Sequence, residues 1–294
     1  RTLSGRLGGG EGWCRSPINM NMADQALRDA AALLAAVSDS ARLDAELLLA
    51  HAAGVSREEM ILRLRDMVVP AEFAALVARR MRHEPVSHIT GKRDFWTLSL
   101  EVSADVLTPR PDTETLLEAA VEHFAGTAGP RRILDLGTGS GALLLAALDE
   151  WRGASGLGID LSKAALRVAR RNGRALGMDA RAEWRTGDWA AGLDERFDLI
   201  LANPPYISTS AILPRDVAGY EPHIALFAGE DGLDAYRIIA AQIGALIAAG
   251  GVAAIEIGFD QGASAAALFV AQGLTVEVRA DLAGRARCLL IRVD

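Results

Sequence analysis

The sequence predicts an α/β protein in which a seven-stranded, mostly parallel sheet carries helices on both faces and is preceded by a small helical domain. Three observations lead to this fold class. Apolar strand-like runs alternate with helical runs from residue 109 onward, a glycine-rich turn follows the first of these strands, and residues 22–84 show helical periodicity without a strand pattern. The 294 residues are enough for two domains.

The first segment, residues 1–19, differs in composition from the rest of the chain. It is rich in Gly and Arg, has no apolar period and lacks the apolar core of a signal peptide. We interpret it as an expression tag or a disordered tail, with the natural start at Met20 or Met22.

Residues 22–84 are predicted to form a domain of about four helices. Apolar residues recur at helical spacing in 26–37 and 41–54, and Ser56 and Glu59 have the spacing of a capping box. No residue pattern in this domain has catalytic character, so the pattern predicts an amphipathic bundle.

Residues 85–108 alternate in hydropathy and are predicted to be a hairpin-like connector to the domain 109–294. The seven strands predicted in that domain are RRILDLG, ASGLGID, RAEWRTGDW, RFDLILANPPY, GVAAIEIG, LTVEVRADL and ARCLLIRV. Helical runs separate most of them, and one run, residues 235–250, is predicted as a single helix before the fifth strand. The last two strands have no helix between them, so one must run antiparallel to its neighbour.

The composition argues against several classes of protein. The formal net charge of −7 gives little support to sequence-independent nucleic-acid binding, which needs a basic surface. No apolar run is long enough for a membrane helix. The two cysteines, Cys14 and Cys288, form neither a metal-ligand cluster nor a disulfide framework, so we expect a cytoplasmic protein without a metal site.

Polar residues at three successive strand ends predict a nucleoside pocket. Glycines in the first turn let the backbone pass close to a ligand. Asp160 ends the second strand, where a carboxylate can bind both ribose hydroxyls. Asp188 and Trp189 end the third, where they can bind an adenine ring. The turn itself contributes Gly137, Thr138, Gly139, Ser140 and Gly141.

The fourth strand end decides between nucleoside cofactors. NAD would suit the ribose carboxylate equally well, but a hydride-transfer site needs a His, Lys or Tyr acid. Here the strand runs into Asn203, Pro204, Pro205 and Tyr206. This favours a nucleoside that carries an electrophile, such as S-adenosylmethionine.

Several motifs together resemble the HemK/PrmC family of protein-glutamine methyltransferases, over about residues 23–293. They are ILDLGTGSG, GID, GDW, FDLILANPPY, LTPRPDTE, EPHIALFAGEDGLDAYR, IEIG and DLAGRARC. The relative that methylates a ribosomal protein usually has Cys in place of the first glycine, so Gly137 favours the release-factor branch. Asp112 stands where the family more often has Glu.

The resemblance implies roles for matching residues. The turn Gly137–Gly141 with Asp160, Asp188 and Trp189 would contact S-adenosylmethionine, and Asn203 would contact both cofactor and substrate. Pro204, Pro205 and Tyr206 would complete a glutamine pocket. An amide nitrogen is a poor nucleophile, so Asn203 and the Pro204 carbonyl would hold both of its N–H bonds and orient its lone pair, while Tyr206 covers the amide plane.

The resemblance therefore implies methylation of the glutamine in the GGQ motif of peptide chain release factors, with S-adenosylhomocysteine as the second product. The helical domain would recognise the release factor, and no membrane or direct nucleic-acid partner is expected. The alternatives are methylation of the adenine exocyclic amine in DNA or RNA, of a ribosomal-protein glutamine, or a non-catalytic protein that senses S-adenosylmethionine.

Overall fold

The computed structural model describes residues 22–294 and divides them into two compact units. The first unit ends at Arg82 and the second comprises His83–Asp294. The tag or tail expected at residues 1–19 lies outside the described residues.

The first unit is helical in its described part. Its helices are α1 (Met22–Leu34), α2 (Ala41–Ala53), α3 (Arg57–Arg63) and α4 (Phe73–Arg80). Leu27, Leu48 and Met60, from three of these helices, are fully buried. The Ser56 hydroxyl caps α3 by accepting a hydrogen bond from the Glu59 amide at 3.1 Å, as the spacing of the two residues predicts.

The second unit begins with a short helix and a hairpin. These are α5 (Val86–Thr90), β1 (Lys92–Phe95) and β2 (Leu98–Glu101), the two strands pairing antiparallel. Phe95 and Leu100 are buried in the main core of this unit. The Asn172 side chain binds both the amide and the carbonyl of Glu101, at 2.7 and 3.0 Å. The hairpin is therefore packed into the larger unit.

A seven-stranded sheet forms the centre of the second unit, as predicted. Its strands are β3 (Arg132–Leu136), β4 (Ser155–Asp160), β5 (Ala182–Thr186), β6 (Phe197–Ala202), β7 (Ile247–Glu256), β8 (Thr275–Ala280) and β9 (Ala286–Arg292). The order across the sheet is β5-β4-β3-β6-β7-β9-β8; β9 pairs antiparallel with both β7 and β8, and the other neighbouring pairs are parallel. The strand order reverses between β3 and β6, which is where open α/β sheets bind ligands.

Helices cover both faces of this sheet. The helices that follow the hairpin in the second unit are α6 (Glu114–His123), α7 (Ala142–Glu150), α8 (Lys163–Ala175), α9 (Arg215–Tyr220), α10 (Asp234–Ile243) and α11 (Gly262–Val270). One core contains α6 and α7, and the other contains α10 and α11. None of the helices in residues 22–294 combines the length and the apolar character that a membrane span requires.

The prediction of one helix over residues 235–250 was wrong at its end. α10 stops at Ile243, and β7 already begins at Ile247, which pairs with Phe197. The register shifts after this pair, and Gly250 has a φ of 75°. An Ala- and Ile-rich run satisfies helical and buried-strand patterns alike, so pairing with β6 decides its conformation. Helix α6 was not predicted.

Candidate functional site

Two adjoining cavities lie in the second unit, where β3, β4, β5 and β6 end. The larger has a volume of about 360 Å³ and the smaller about 160 Å³. Both are lined by Leu107, Asn203, Pro205 and Ala225. The residues predicted to form the pocket, except Gly141, are distributed between these two cavities.

The glycine-rich turn lies along the larger cavity. Gly137, Thr138, Gly139 and Ser140 line it, and the amides of Gly137 and Thr138 both donate to the Ile159 carbonyl at 2.9 Å. Gly139 has a φ of 56°, in the left-handed region that glycine tolerates.

The last glycine of the turn has a different place from the one expected. Gly141 caps α7 and is not among the residues that line either cavity. A Cβ on it would come within 2.8 Å of the Trp184 ring. Gly141 therefore allows α7 to approach the sheet closely.

Asp160 stands at the end of β4 and lines the larger cavity. Its two carboxylate oxygens accept hydrogen bonds from the amides of Ser162 and Gly139, each at 2.8 Å. Burial raises its pKa, and these two amides counteract the rise. Each carboxylate oxygen has a second acceptor position, so the group can still bind two hydroxyls.

Asp188 and Trp189 follow β5 and also line this cavity. Trp189 has a φ of 50°, which is unusual for a bulky residue. Its ring borders the glycine-rich turn, since a Cβ at Gly137 would lie 3.4 Å from it. The strained backbone thus directs the indole along the wall of the cavity.

Asp135 is a residue of this cavity that the sequence analysis missed. It lies in β3 and is 1% exposed. One carboxylate oxygen accepts the Thr138 hydroxyl at 2.5 Å, while Oδ1 has no hydrogen-bond partner in the described residues. Burial is the main cause that raises the pKa of Asp135 to about 7; hydrogen bonds from the Thr138 side chain and the Leu144 backbone oppose the rise, and the negative charge of Asp160 adds to it. The detectable signal was an acidic residue between the apolar residues Leu134 and Leu136 of β3.

The NPPY residues separate the two cavities. Asn203 and Pro205 line both, whereas Pro204 and Tyr206 line only the smaller one. The Asn203 Nδ2 donates to the Thr113 hydroxyl oxygen at 3.1 Å. The Tyr206 hydroxyl donates to Glu256 at 3.3 Å, and burial raises the pKa of Tyr206.

The turn after NPPY is supported by a residue of the AGEDGLDAYR run. Gly232 packs so closely that a Cβ on it would lie 2.3 Å from the Tyr206 carbonyl oxygen. Gln261 donates to the same carbonyl at 3.0 Å. These contacts hold the backbone of the NPPY turn in place.

An ion pair holds one of the residues that line the smaller cavity. Arg110, which lines it, donates to both carboxylate oxygens of Glu221 at 2.8 and 2.7 Å. The Glu221 side chain is 1% exposed, and burial raises its pKa against the opposing effect of Arg110. Across residues 22–294, no group of three or more His, Cys, Asp or Glu could hold a metal ion.

Comparisons with known proteins cover both units. Residues 25–91 match the family model of the PrmC N-terminal domain, and residues 111–215 match that of the methyltransferase small domain. A Rhodospirillum rubrum protein named release factor glutamine methyltransferase is 50% identical to this chain over 257 residues. The aligned region covers 85% of this chain and 78% of the Rhodospirillum rubrum protein. A Cereibacter sphaeroides protein of the same name is 46% identical over 93% of this chain and 99% of its own length.

The chain belongs to the release factor glutamine methyltransferase family. This confirms the resemblance seen in the motifs, and with it the S-adenosylmethionine-dependent methyltransferase class. One similar solved structure is that of the hMettl16 catalytic domain in complex with MAT2A 3′UTR hairpin 6. It matches the present chain with a TM-score of 0.54. The match covers 76% of this chain and 82% of that one, and at 14% identity it bears on the fold alone.

Proposed function

We propose that this protein transfers the methyl group of S-adenosylmethionine to the side-chain amide nitrogen of the glutamine in the GGQ motif of peptide chain release factors. The observation that carries the proposal is the similarity to release factor glutamine methyltransferases along nearly the whole chain. Two adjoining cavities that share Asn203 support it, because methyl transfer needs a cofactor site and an acceptor site in direct contact.

The larger cavity suits S-adenosylmethionine in shape and chemistry. Asp160 has acceptor positions for the ribose hydroxyls, and Trp189 offers a flat wall for the adenine ring. We assign the unpartnered Oδ1 of Asp135 to the ammonium group of the methionine part. A buried carboxylate with one oxygen left without a hydrogen bond is costly, and a cationic ligand would offset that cost.

The smaller cavity suits a primary carboxamide. When bound, the cofactor would supply a methyl group on a positively charged sulfur. The amide nitrogen would form the new N–C bond as the S–C bond breaks and S-adenosylhomocysteine leaves, and the surplus amide proton would pass to solvent after transfer. The Asn203 side-chain oxygen and the Pro204 carbonyl would accept the two amide N–H bonds and orient the nitrogen lone pair. Tyr206 would lie along the amide and exclude water.

We further propose that the helical domain, residues 22–84, selects the release factor. The residues that line the two cavities lie between 105 and 256, in the second unit. A glutamine side chain offers little surface, whereas stable protein recognition buries about 1,200–2,000 Å². The helical unit exposes the apolar side chains of Ile61, Leu62 and Val68, as surfaces that bind proteins often do.

The test is transfer of a labelled methyl group to purified acceptors. The protein is incubated with labelled S-adenosylmethionine and a release factor, the same factor with Ala in place of the GGQ glutamine, a ribosomal-protein mixture, or DNA. Label on the release factor alone is expected, and the Ala form should gain none. Label on DNA or on a ribosomal protein, or equal label on the Ala form, would contradict the proposed substrate.

A further inference from the structure

The smaller cavity needs a hydrogen-bond donor for the chain segment that brings the glutamine into it. Two of the three residues in a GGQ motif have no side chain, so beside the glutamine the motif offers only main-chain amide and carbonyl groups. In the proposed function, Asn203 and the Pro204 carbonyl accept hydrogen bonds from the substrate and donate none. The main-chain carbonyl oxygens of the motif therefore need a donor, because a desolvated carbonyl without a partner weakens binding.

Arg110 is the side chain of this cavity that has donors to spare. The polar or charged side chains among the lining residues are those of Arg110, Asn203, Tyr206 and Glu256. Asn203 donates to Thr113, and Tyr206 donates to Glu256. Arg110 uses only its Nη2 among the described residues, and this leaves the N–H bonds of Nη1 and Nε available.

The backbone at Arg110 is fixed by its neighbours. Arg110 stands between Pro109 and Pro111, and each proline fixes its own φ and restricts the residue before it. The Pro109 carbonyl accepts a hydrogen bond from Nε of Arg93 at 3.1 Å, and the Arg110 carbonyl accepts one from the Thr113 amide at 3.1 Å. The side chain of Arg110 therefore starts from a fixed position.

The guanidinium group of Arg110 is fixed as well, by Glu221. Nη2 donates to both carboxylate oxygens of Glu221, at 2.8 and 2.7 Å, and the Glu221 side chain is 1% exposed. The Glu221 amide in turn donates to the Val217 carbonyl at 3.1 Å, at the end of α9. An arginine that is already ordered loses less conformational entropy when it binds a ligand.

Exposure and charge indicate what Arg110 binds. Its side chain is 41% exposed although it lines the cavity, so it lies at the opening, as does the exposed Pro214. The Arg110–Glu221 pair has no net charge, which suits a neutral acceptor better than a phosphate or a carboxylate. The neutral acceptor that a GGQ motif brings to the opening is a main-chain carbonyl oxygen.

Resting on the proposed function, we propose that Arg110 determines specificity for the GGQ motif by donating hydrogen bonds, through the N–H bonds that Glu221 leaves free, to main-chain carbonyl oxygens next to the substrate glutamine. Glu221 is a positioning residue, which acts by holding the guanidinium group. Arg110 does not touch the carboxamide that is methylated. It therefore stabilises the bound substrate and the transition state equally, and its loss raises KM without lowering kcat.

The experiment measures kcat and KM for a release factor, and S-adenosylmethionine affinity by calorimetry, in the full chain and its variants. Arg110→Met keeps an unbranched side chain without donors, and we expect it to raise KM by roughly 10–100-fold, the scale for hydrogen bonds from a charged group. Arg110→Lys should recover little, since an ammonium group held by Glu221 cannot repeat the planar donor geometry. Both variants should keep the kcat and the cofactor affinity of the wild type.

Glu221→Gln tests the positioning role. It keeps the shape of the side chain and removes its charge, so we expect KM to rise by roughly 2–10-fold, the scale for ordering one long side chain. In an Arg110→Met background the same change should cost nothing more, because the residue through which Glu221 acts has lost its donors. If Arg110→Met alone does not fold, this double variant, which leaves no buried carboxylate unpaired, provides the KM comparison.

A matched control and a salt series exclude a general charge effect. Arg171 also binds both carboxylate oxygens of a glutamate, Glu101, at 2.9 and 3.0 Å, and its side chain is 47% exposed. It lines neither cavity, so Arg171→Met should leave KM unchanged. The ratio of KM between Arg110→Met and the wild type should change little from low to high salt, since the proposed acceptor is uncharged.

The outcomes distinguish this inference from the proposed function. A wild-type protein that methylates no release factor contradicts the function itself. With an active wild type, an unchanged KM in Arg110→Met overturns the role of Arg110, and a loss of kcat at unchanged KM places Arg110 on the carboxamide and overturns the main-chain contact. A KM ratio that falls steeply as salt is added identifies an anionic group of the release factor as the partner, which also overturns it.

Discussion

Replacing Asp135 by Asn should make the cofactor-free protein more stable and its cofactor binding weaker. The residue is 1% exposed, and one of its carboxylate oxygens has no hydrogen-bond partner in the described residues. The amide of Asn can still accept the Thr138 hydroxyl while carrying no charge. The same burial that destabilises the empty site is what would make Asp135 an effective partner for a cationic ligand.

The magnitude follows from the pKa. Burial raises the pKa of Asp135 from 3.8 to about 7, which corresponds to roughly 4 kcal/mol, since a tenfold change in proton affinity is about 1.4 kcal/mol. Because the pKa is raised in the folded state, ionisation of Asp135 destabilises the fold. The contribution of protonated Asp135 to the free energy of unfolding is therefore present at low pH and is lost as the pH rises from about 4 to about 7. Because an Asn amide also needs partners, we expect a net gain of about 1–3 kcal/mol at pH 8.

The assay is denaturant unfolding of both proteins without cofactor at several pH values, combined with calorimetry of S-adenosylmethionine binding. The stability difference should shrink as the pH is lowered towards 5, and the variant should bind the cofactor roughly 10–100-fold more weakly at pH 8. Glu256→Gln is the matched control. Glu256 is equally buried with a pKa near 7 but lines only the smaller cavity, so its replacement should change the pH dependence of stability without changing cofactor affinity.

Two results would refute this reasoning. If Asp135→Asn were less stable than the wild type at pH 8, the unpartnered carboxylate would not be the destabilising group we infer. If cofactor affinity were unchanged, the ammonium group would lie elsewhere in the cavity. A loss of affinity in Glu256→Gln as large as in Asp135→Asn would remove the distinction between the two cavities.

Four further predictions concern the same unit and its helical partner. Asn203→Ala should lower the methylation rate by about 10²–10³-fold with the fold intact, and a near wild-type rate in a methyl-transfer assay would remove it from the pocket. Asp160→Ala should weaken cofactor binding by roughly 1.5–3 kcal/mol in calorimetry, and unchanged affinity would place the ribose elsewhere. Gly232→Ala should displace the Tyr206 carbonyl, from which its Cβ would lie 2.3 Å, and reduce kcat; full activity would show that the turn adapts. A fragment beginning at Pro85 should bind cofactor but methylate intact release factor far more slowly, and a folded fragment as fast as the full chain would refute substrate selection by the helical domain.

The outline of the fold and the site residues at the strand ends could be predicted from local sequence. Strand and helix periods repeat over several residues, and parallel strands place their carboxyl ends along one edge of the sheet. For this reason Asp160, Trp189 and Asn203, each following a predicted strand, could be expected to lie together, and they line one cavity. The place of Gly141 differed because the turn bends away from the cavity into α7.

Other features depended on contacts between distant parts of the chain. Residues 247–250 fit a helix and a buried strand equally well, and pairing of Ile247 with Phe197 made them a strand. The hydrogen-bond partners of the polar side chains in the site also depended on residues far apart in the sequence. Thr113 meets Asn203 across 90 residues of sequence, and Tyr206 meets Glu256 across 50. The amino-acid sequence determined which residues end the strands, through local periodicity. Only the tertiary structure decided which buried polar groups have partners, because desolvation and hydrogen bonding depend on neighbours brought together by folding.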